Sequence, residues 1–351
     1  MPSPSPTPDP GLLSAVFIVI AAIAVTGYLL RVLQRHERTR LRRDTADFAT
    51  FLRGFLTNRL ESRALAVEAD HTDPGAFWTA LEDLTSRGDG WLALSRVLAG
   101  CPHFATERSA LRDESPWRRE LAARRLGQLF SVESRTALRA ALRAGPELVT
   151  AAAAASLARY RDLDSLRWLL HNPAAVGHRT HRARLGLLRA YGRQALPDLA
   201  AALARGTGDA AMDRALIEAL GHARYHEGRM AVERRLREGD VEQRVAAARA
   251  LGRMEAADCA TALIGALQDE AWQVRAQAAW ALGRTRAPIA LLALPARLTD
   301  PAWWVRRHAA YALREFGVEG RQELERITRG SPDPYARDMA REVLEGWPDA
   351  A

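Results

Sequence analysis

The sequence predicts an all-α protein, a solenoid of stacked helix pairs preceded by one N-terminal transmembrane helix. Three observations predict it. Leu126, Leu157, Leu188, Leu220, Leu251, Leu282, Leu313 and Leu344 recur with gaps of 31, 31, 32, 31, 31, 31 and 31 residues. Self-similarity on that scale marks an array whose units bury their apolar faces against their neighbours. Residues 12–30 are a run of 19 without a charge, roughly 28 Å long as a helix and close to the hydrocarbon thickness of a bilayer. No stretch alternates with a period of two, so no sheet is expected.

Residues 1–11 are rich in Pro and Ser and are expected to be a disordered extracytoplasmic tail. Residues 12–33 read as an uncleaved anchor. The preceding flank has no basic side chain and carries Asp9, and no small-residue cleavage site follows, which argues against a signal peptide. Arg31, Arg35, Arg38, Arg40, Arg42 and Arg43 follow the apolar run. The positive-inside rule then places the chain in the inner (plasma) membrane, single-pass, N-terminus out and array in the cytoplasm. Arg35, Arg38, Arg40, Arg42 and Arg43 are also candidates for contact with anionic lipid head groups.

Residues 34–72 are expected to form a basic juxtamembrane helix, with Phe48, Phe51, Leu52, Phe55, Leu56 and Leu60 at helical spacing. Residues 73–115 read as helical but out of register with the 31-residue period, hence a degenerate capping region. There Asp73-Pro74 looks like an N-cap followed by Pro at the first helical position.

Residues 116–351 form the array. Each unit has a first helix carrying the periodic Leu, a turn and a second apolar helix. Ala stands four before the Leu at Ala122, Ala153, Ala247, Ala278, Ala309 and Ala340, where a small side chain lets helices approach. Gly follows the Leu at Gly127, Gly221, Gly252 and Gly283 and is expected to end the first helix by taking positive φ.

Val274-Arg275 with Ala278, Ala279, Ala281, Leu282 and Gly283, and Val305-Arg306 with Ala309, Ala310, Ala312 and Leu313, resemble the HEAT-repeat family. The likeness is to its short bacterial form, also seen in phycobilin-lyase-like repeats. It is densest over 240–346, extends back to 116 and does not cover 1–115. The unit is shorter than the usual HEAT length of about 40, so the helices should be near three turns each. The resemblance implies a right-handed superhelix whose second helices line the concave face.

Arg119, Arg244, Arg275, Arg306 and Arg337 each stand seven before a periodic Leu. The resemblance implies a structural ladder, each Arg bonding an acid or a helix end of the next unit, with Asp240, Asp269, Asp300 and Asp333 as candidate acids. An anion-binding row is the alternative. On the second helices, Arg135, Arg139 and Arg143, and then Arg229, Arg234 and Arg237, suggest a basic groove for an acidic partner segment. Trp272, Trp303 and Trp304 flank the ladder and are candidate contact residues for a protein partner. Trp303 and Trp304 cannot both face a helix core, being about 100° apart around the axis.

All 50 basic side chains are Arg and the balance is +8, with six of them beside the apolar run, so the array itself is only mildly basic. No stacking or base-reading motif accompanies the charge, and nucleic acid is not the expected partner. Cys101 and Cys259 give neither a disulfide framework nor metal spacing. There is no Gly-rich phosphate loop, GxSxG or HExxH. Paired His-Glu in successive units would resemble the di-iron deoxyhypusine hydroxylases, but His226-Glu227 is the one such pair in the array. The expectation is therefore no enzyme, no catalytic residue, no metal and no cofactor. The chain reads as a membrane-anchored cytoplasmic scaffold or adaptor that positions or regulates a protein partner. A membrane-associated complex such as a surface-glycan synthesis enzyme is the expected partner class, though no residue specifies it. The alternatives are a lyase-like or ligand-handling HEAT protein and a polyanion- or nucleic-acid-binding solenoid.

Overall fold

Alanine, leucine and arginine favour helix, and all regular structure among the described residues is helical. The computed structural model describes residues 10–84, 89–177, 179–255 and 257–346, with side chains from Val25 onward except at Asp89. Two compact units emerge: residues 1–112 with 128–134, and residues 113–127 with 135–351.

The first unit holds α1 (Pro10–Leu56), α2 (Ser62–His71), α3 (Pro74–Asp83), α4 (Asp89–Leu98) and α5 (Pro102–Ala110). Residues 1–9 of the expected tail lie outside the described residues, as do the side chains of 12–24 in the expected anchor. Where side chains are described, Val25 to Leu30 give way at once to Arg31, Arg35, Glu37, Arg38, Arg40, Arg42 and Arg43 on the same helix. Among the described residues no helix is long and apolar enough to cross a membrane. That finding overturns the single-pass inner-membrane placement, and with it the topology read from the arginines. Arg35, Arg38, Arg40, Arg42 and Arg43 are solvent-exposed along α1, with Arg40 Nε 3.8 Å from Asp44.

The single helix expected over 34–72 is broken. Asn58 takes φ 55°, a conformation Asn tolerates, and Arg59 N–H returns to the Gly54 carbonyl at 2.8 Å. The Asp73 carboxylate caps α3 by accepting from Gly75 N and Ala76 N at 2.8 and 3.2 Å. The core is aromatic. Phe48 stacks on Phe77 at 5.2 Å and Trp78 meets Phe104 edge-on at 4.9 Å. Residues 128–134 are tied to α4, because Trp91 Nε1 donates to the Gln128 carbonyl at 2.7 Å and Phe130 N to Ser95 Oγ at 3.0 Å.

The second unit alternates first and second helices. The first helices are α6 (Pro116–Leu126), α8 (Glu147–Arg159), α10 (His181–Ala190), α12 (Ala210–Ala223), α14 (Val241–Met254), α16 (Trp272–Thr285), α18 (Trp303–Arg314) and α20 (Pro334–Glu345). Between them run α7 (Val132–Ala144), α9 (Leu163–His171), α11 (Leu196–Arg205), α13 (Arg229–Glu238), α15 (Ala260–Ala266), α17 (Ala290–Ala293) and α19 (Val318–Gly330). Each first helix packs on the next, and α9 through α19 form a parallel layer in the same way. α17 is one turn long because Pro288 and Pro295 bracket it and supply no N–H.

Ala122, Ala153, Ala247, Ala278, Ala309 and Ala340 are all fully buried between first helices. The glycines beside them act differently from the expectation. None of Gly127, Gly221, Gly252 and Gly283 has positive φ. A Cβ on Gly252 would lie 2.8 Å from Ala281 Cα, and one on Gly283 2.8 Å from Ala312 Cα. They permit close approach of backbones rather than a turn. Positive φ comes later, at Arg224, Glu255 and Arg286 with φ 50°, 54° and 49°, and at Gly317 with 63°.

Candidate functional site

The ladder position is occupied in every first helix, and its chemistry varies. In α14, Arg244 Nε and Nη2 donate to the two Asp269 oxygens at 2.8 and 2.9 Å, while Nη1 reaches back to the Gly239 carbonyl at 3.1 Å. In α16, Arg275 repeats this with Asp300 at 2.8 and 2.9 Å and with the Asp269 and Glu270 carbonyls. Each guanidinium thus locks its own helix start to the loop before the next first helix. A bidentate fork suits that task because it fixes direction as well as distance. Donating to the Asp269 and Asp300 carboxylates raises the two arginine pKa values further. Burial alone would raise the Asp300 carboxyl, but Arg275 and the Ala302 amide more than offset it and hold it below its usual range.

The separation from Arg to its Asp is 25 residues in both rungs. Arg306 at the same offset meets Ser331. It keeps the carbonyl bonds, to Asp300 and Pro301 at 2.8 and 3.0 Å, but its buried Nε has no partner and its guanidinium sits 5.2 Å over the Tyr335 ring. Asp333 is spent instead on the Tyr335 amide at the start of α20, as Asp240 is on the Gln243 amide of α14. Arg337 likewise bonds the Ser331 and Pro332 carbonyls. Arg119 in α6 has a buried Nε without a partner.

Two rungs were hidden in the sequence. In α10 the frame slips by three residues. Arg184, seven before the buried Tyr191, donates to Asp209 at 3.0 Å, again 25 residues on. Leu188 keeps the 31-residue period and so masks the slip. In α12 the charges are inverted: Asp213 holds the position and its Oδ2 lies 3.0 Å from Arg235 Nη2.

Along one edge of the ladder, large rings stand open. Trp272, Trp303 and Trp304 are 41%, 43% and 49% exposed, and Tyr335 is 65% exposed. They lie in the first turns of α16, α18 and α20. One ring of the adjacent pair was expected to be able to enter the core, and neither does. Trp303 and Trp304 meet edge-on at 4.7 Å, and Arg307 covers Trp303 at 5.3 Å and Tyr311 at 4.7 Å.

Residues 228–314 and 260–345 match the family model described as HEAT repeats. Residues 228–345 are HEAT repeats. No curated protein matches the chain. Among solved structures it is similar to human deoxyhypusine hydroxylase, at 22% identity over 73% of this chain and 95% of that one, with a TM-score of 0.33. It is also similar to Kap121p, at 14% identity over 84% of this chain and 44% of that one, with a TM-score of 0.34. An engineered protein matches at 16% identity over 82% and 98%, with a TM-score of 0.29.

Beside the HEAT repeats, the second-helix arginines are less open than their spacing suggested. Arg139 is bonded through Nε to Asp162 at 2.9 Å and through Nη2 to Asp162 and Asp164, so it is a structural pair. Arg229 faces Glu233 at 3.3 Å and Arg234 faces Glu238 at 2.8 Å. Arg143 and Arg237 are exposed, and Arg135 is engaged within the fold. Among the described residues no three metal-ligating side chains gather. Cys101 and Cys259 are buried thiols, and burial pushes Cys259 up to about 11.

The incomplete rung makes a direct prediction. Ser331→Asp supplies the missing carboxylate 25 residues from Arg306, and is expected to raise stability by about 1 kcal/mol through a charge-assisted bond to a buried, unsatisfied N–H. Thermal melts should show the gain in an otherwise native chain and its loss in an Arg306→Ala background. An equal gain in both backgrounds would refute the pairing.

Proposed function

We propose that this chain is a non-enzymatic scaffold that binds a protein partner along its HEAT repeats. The supporting observation is the open aromatic edge of Trp272, Trp303, Trp304 and Tyr335, laid across three successive first helices. Trp, Tyr and Arg are the residue types that most often carry interface energy, and Arg307 lies among them. The buried bidentate rungs beneath hold the backbone in place, so a partner meets a surface that needs little ordering on binding. Repeat arrays present extended surfaces of this kind.

The test is crosslinked capture from native extract with the wild-type chain and with a Trp303→Ala/Trp304→Ala variant. The rings are half-exposed, so the variant should keep its thermal midpoint. A protein recovered by the wild type and lost with the variant supports the reading. Equal recovery by both, or a small molecule or nucleic acid in place of a protein, refutes it.

A further inference from the structure

Many arginines of the array face a carboxylate, as with Arg139, Arg167, Arg184, Arg214, Arg224, Arg244, Arg275, Arg286 and Arg307. Four that lie close together do not: Arg189, Arg193, Arg249 and Arg253. Arg189 on α10 and Arg193 just after it line an open cavity of about 190 Å³ together with His222 of α12, over a floor that includes Leu188, Leu196 and Leu199. From α14, Arg253 Nη1 comes within 3.3 Å of His222 Nε2. Arg249, one turn earlier on α14, has the neutral Gln277 Oε1 as its partner at 3.4 Å. Arg193 has only the Ala223 carbonyl, at 3.5 Å. Among the described residues no carboxylate pairs with any of the four.

The carboxylate of Glu218, which acts on His222, is already engaged. Glu218, a turn before His222 on α12, is held by His181 Nε2 at 3.0 Å and lies 3.7 Å from Arg214 Nε. Burial alone would raise its pKa. His181, Arg214 and Arg249 outweigh that and hold it low. The effect of the uncompensated charge is felt by the groups around it. Burial first, then Arg253, Arg189 and Arg249, press the His222 pKa below its ordinary value, with Glu218 alone opposing. The Arg253 pKa is lowered too, by burial and then by Arg249. Like charges gathered at a cavity with apolar walls cost free energy unless an anion joins them, and such a cleft focuses its field on one.

We infer that the cavity between α10, α11 and α12, lined by Arg189, Arg193 and His222 and with Arg253 of α14 against His222, is an oxyanion site that takes a carboxylate from an acidic segment of a protein partner. The inference rests on the scaffold reading and names the partner's chemistry. Bidentate guanidinium forks suit a carboxylate. The leucine floor suits the aliphatic stem of a Glu side chain. The neutral His222, which now accepts from Arg253, gains a proton when the anion arrives and turns donor.

The test titrates the full chain at low salt with a hexaglutamate peptide, and separately with inorganic phosphate, following the His222 ring by NMR. His222→Gln assigns the signal. With peptide bound, the His222 pKa should rise toward its ordinary value. Arg189→Gln/Arg253→Gln should weaken binding about tenfold or more, while Arg237→Gln on α13 changes it less than about twofold. The double variant should melt no lower than the wild type, because it relieves repulsion. A lower midpoint with binding retained would make these arginines structural and overturn the site. Phosphate that saturates the ring response, with no response to peptide, assigns a free-anion site and overturns the protein occupant. Equal losses with Arg237→Gln mean diffuse attraction and overturn it as well. If capture experiments recover a partner regardless of Arg189 and Arg253, the scaffold survives and this site fails. If peptide binds as expected and no protein is captured, the reverse holds.

Discussion

Gly283→Ala is expected to destabilise the array by about 2 kcal/mol, against the usual direction for a helical glycine. Helix propensity alone favours alanine by about 1 kcal/mol. The added methyl would sit 2.8 Å from Ala312 Cα and 2.9 Å from its Cβ, well inside contact distance and against backbone that cannot swing aside. α16 and α18 would have to separate, which carries an overpacking cost of about 1–3 kcal/mol, occasionally more, along an interface that also buries Ala278, Ala281 and Ala309. Because each unit is held mainly by its neighbours, the loss should appear as early unfolding of α18 to α20. Hydrogen exchange resolved by segment would detect it. Gly265→Ala on α15 is the control. Nothing lies within 4 Å of the added carbon there, so it should gain about 0.5–1 kcal/mol. Equal gains for both variants would refute the close-approach account.

That glycine also marks where reading the sequence reaches its limit. A Gly directly after a buried Leu fits two physical roles, a left-handed cap and a close backbone contact, and composition does not separate them. The contact explains Gly221, Gly252 and Gly283, and the caps fall on Arg224, Glu255 and Arg286, residues that no propensity rule flags. The leucine period and the alanine row were legible because burial enforces them in every unit. Arg244 and Arg275 were legible with them. The rungs at Arg184 and Asp213 were not, since one follows a frame slip and the other inverts its charges. A signal existed in the repeated 25-residue offset from Arg to Asp, which picks out Asp209, Asp269 and Asp300 together. Pairing on the second helices is hidden for a related reason. Charge spacing on a helix does not reveal that Arg139 already has Asp162 from another turn of the chain. Arg189, Arg193, Arg249 and Arg253, which pair with no carboxylate among the described residues, lie on or beside first helices.

Arg275→Ala is expected to cost about 3–5 kcal/mol, the range for stripping one partner from a buried ion pair. Asp300 would stay behind with a side chain 2% exposed, and the Asp269 and Glu270 carbonyls would lose their donor. Arg306→Ala should cost less, about 1–2 kcal/mol, because that rung has carbonyl bonds and no carboxylate to strand. Acid dependence separates the rungs further. In the native chain the Asp300 pKa is depressed, so its stabilisation is complete above the unfolded value of about 3.9 and disappears as pH falls through the folded one. In Arg275→Ala, burial becomes the dominant influence and the folded pKa rises above the unfolded one. Stability should then increase as pH drops from neutral toward about 4, the opposite slope. Denaturant melts of both proteins between pH 7 and pH 4 would measure it, and parallel slopes would refute the buried pair. An Arg275→Met/Asp300→Leu chain should recover most of the loss, since replacing both charges by apolar groups removes the stranded carboxylate. Recovery there, with a flat acid response, would locate the energy in the pair itself rather than in either helix.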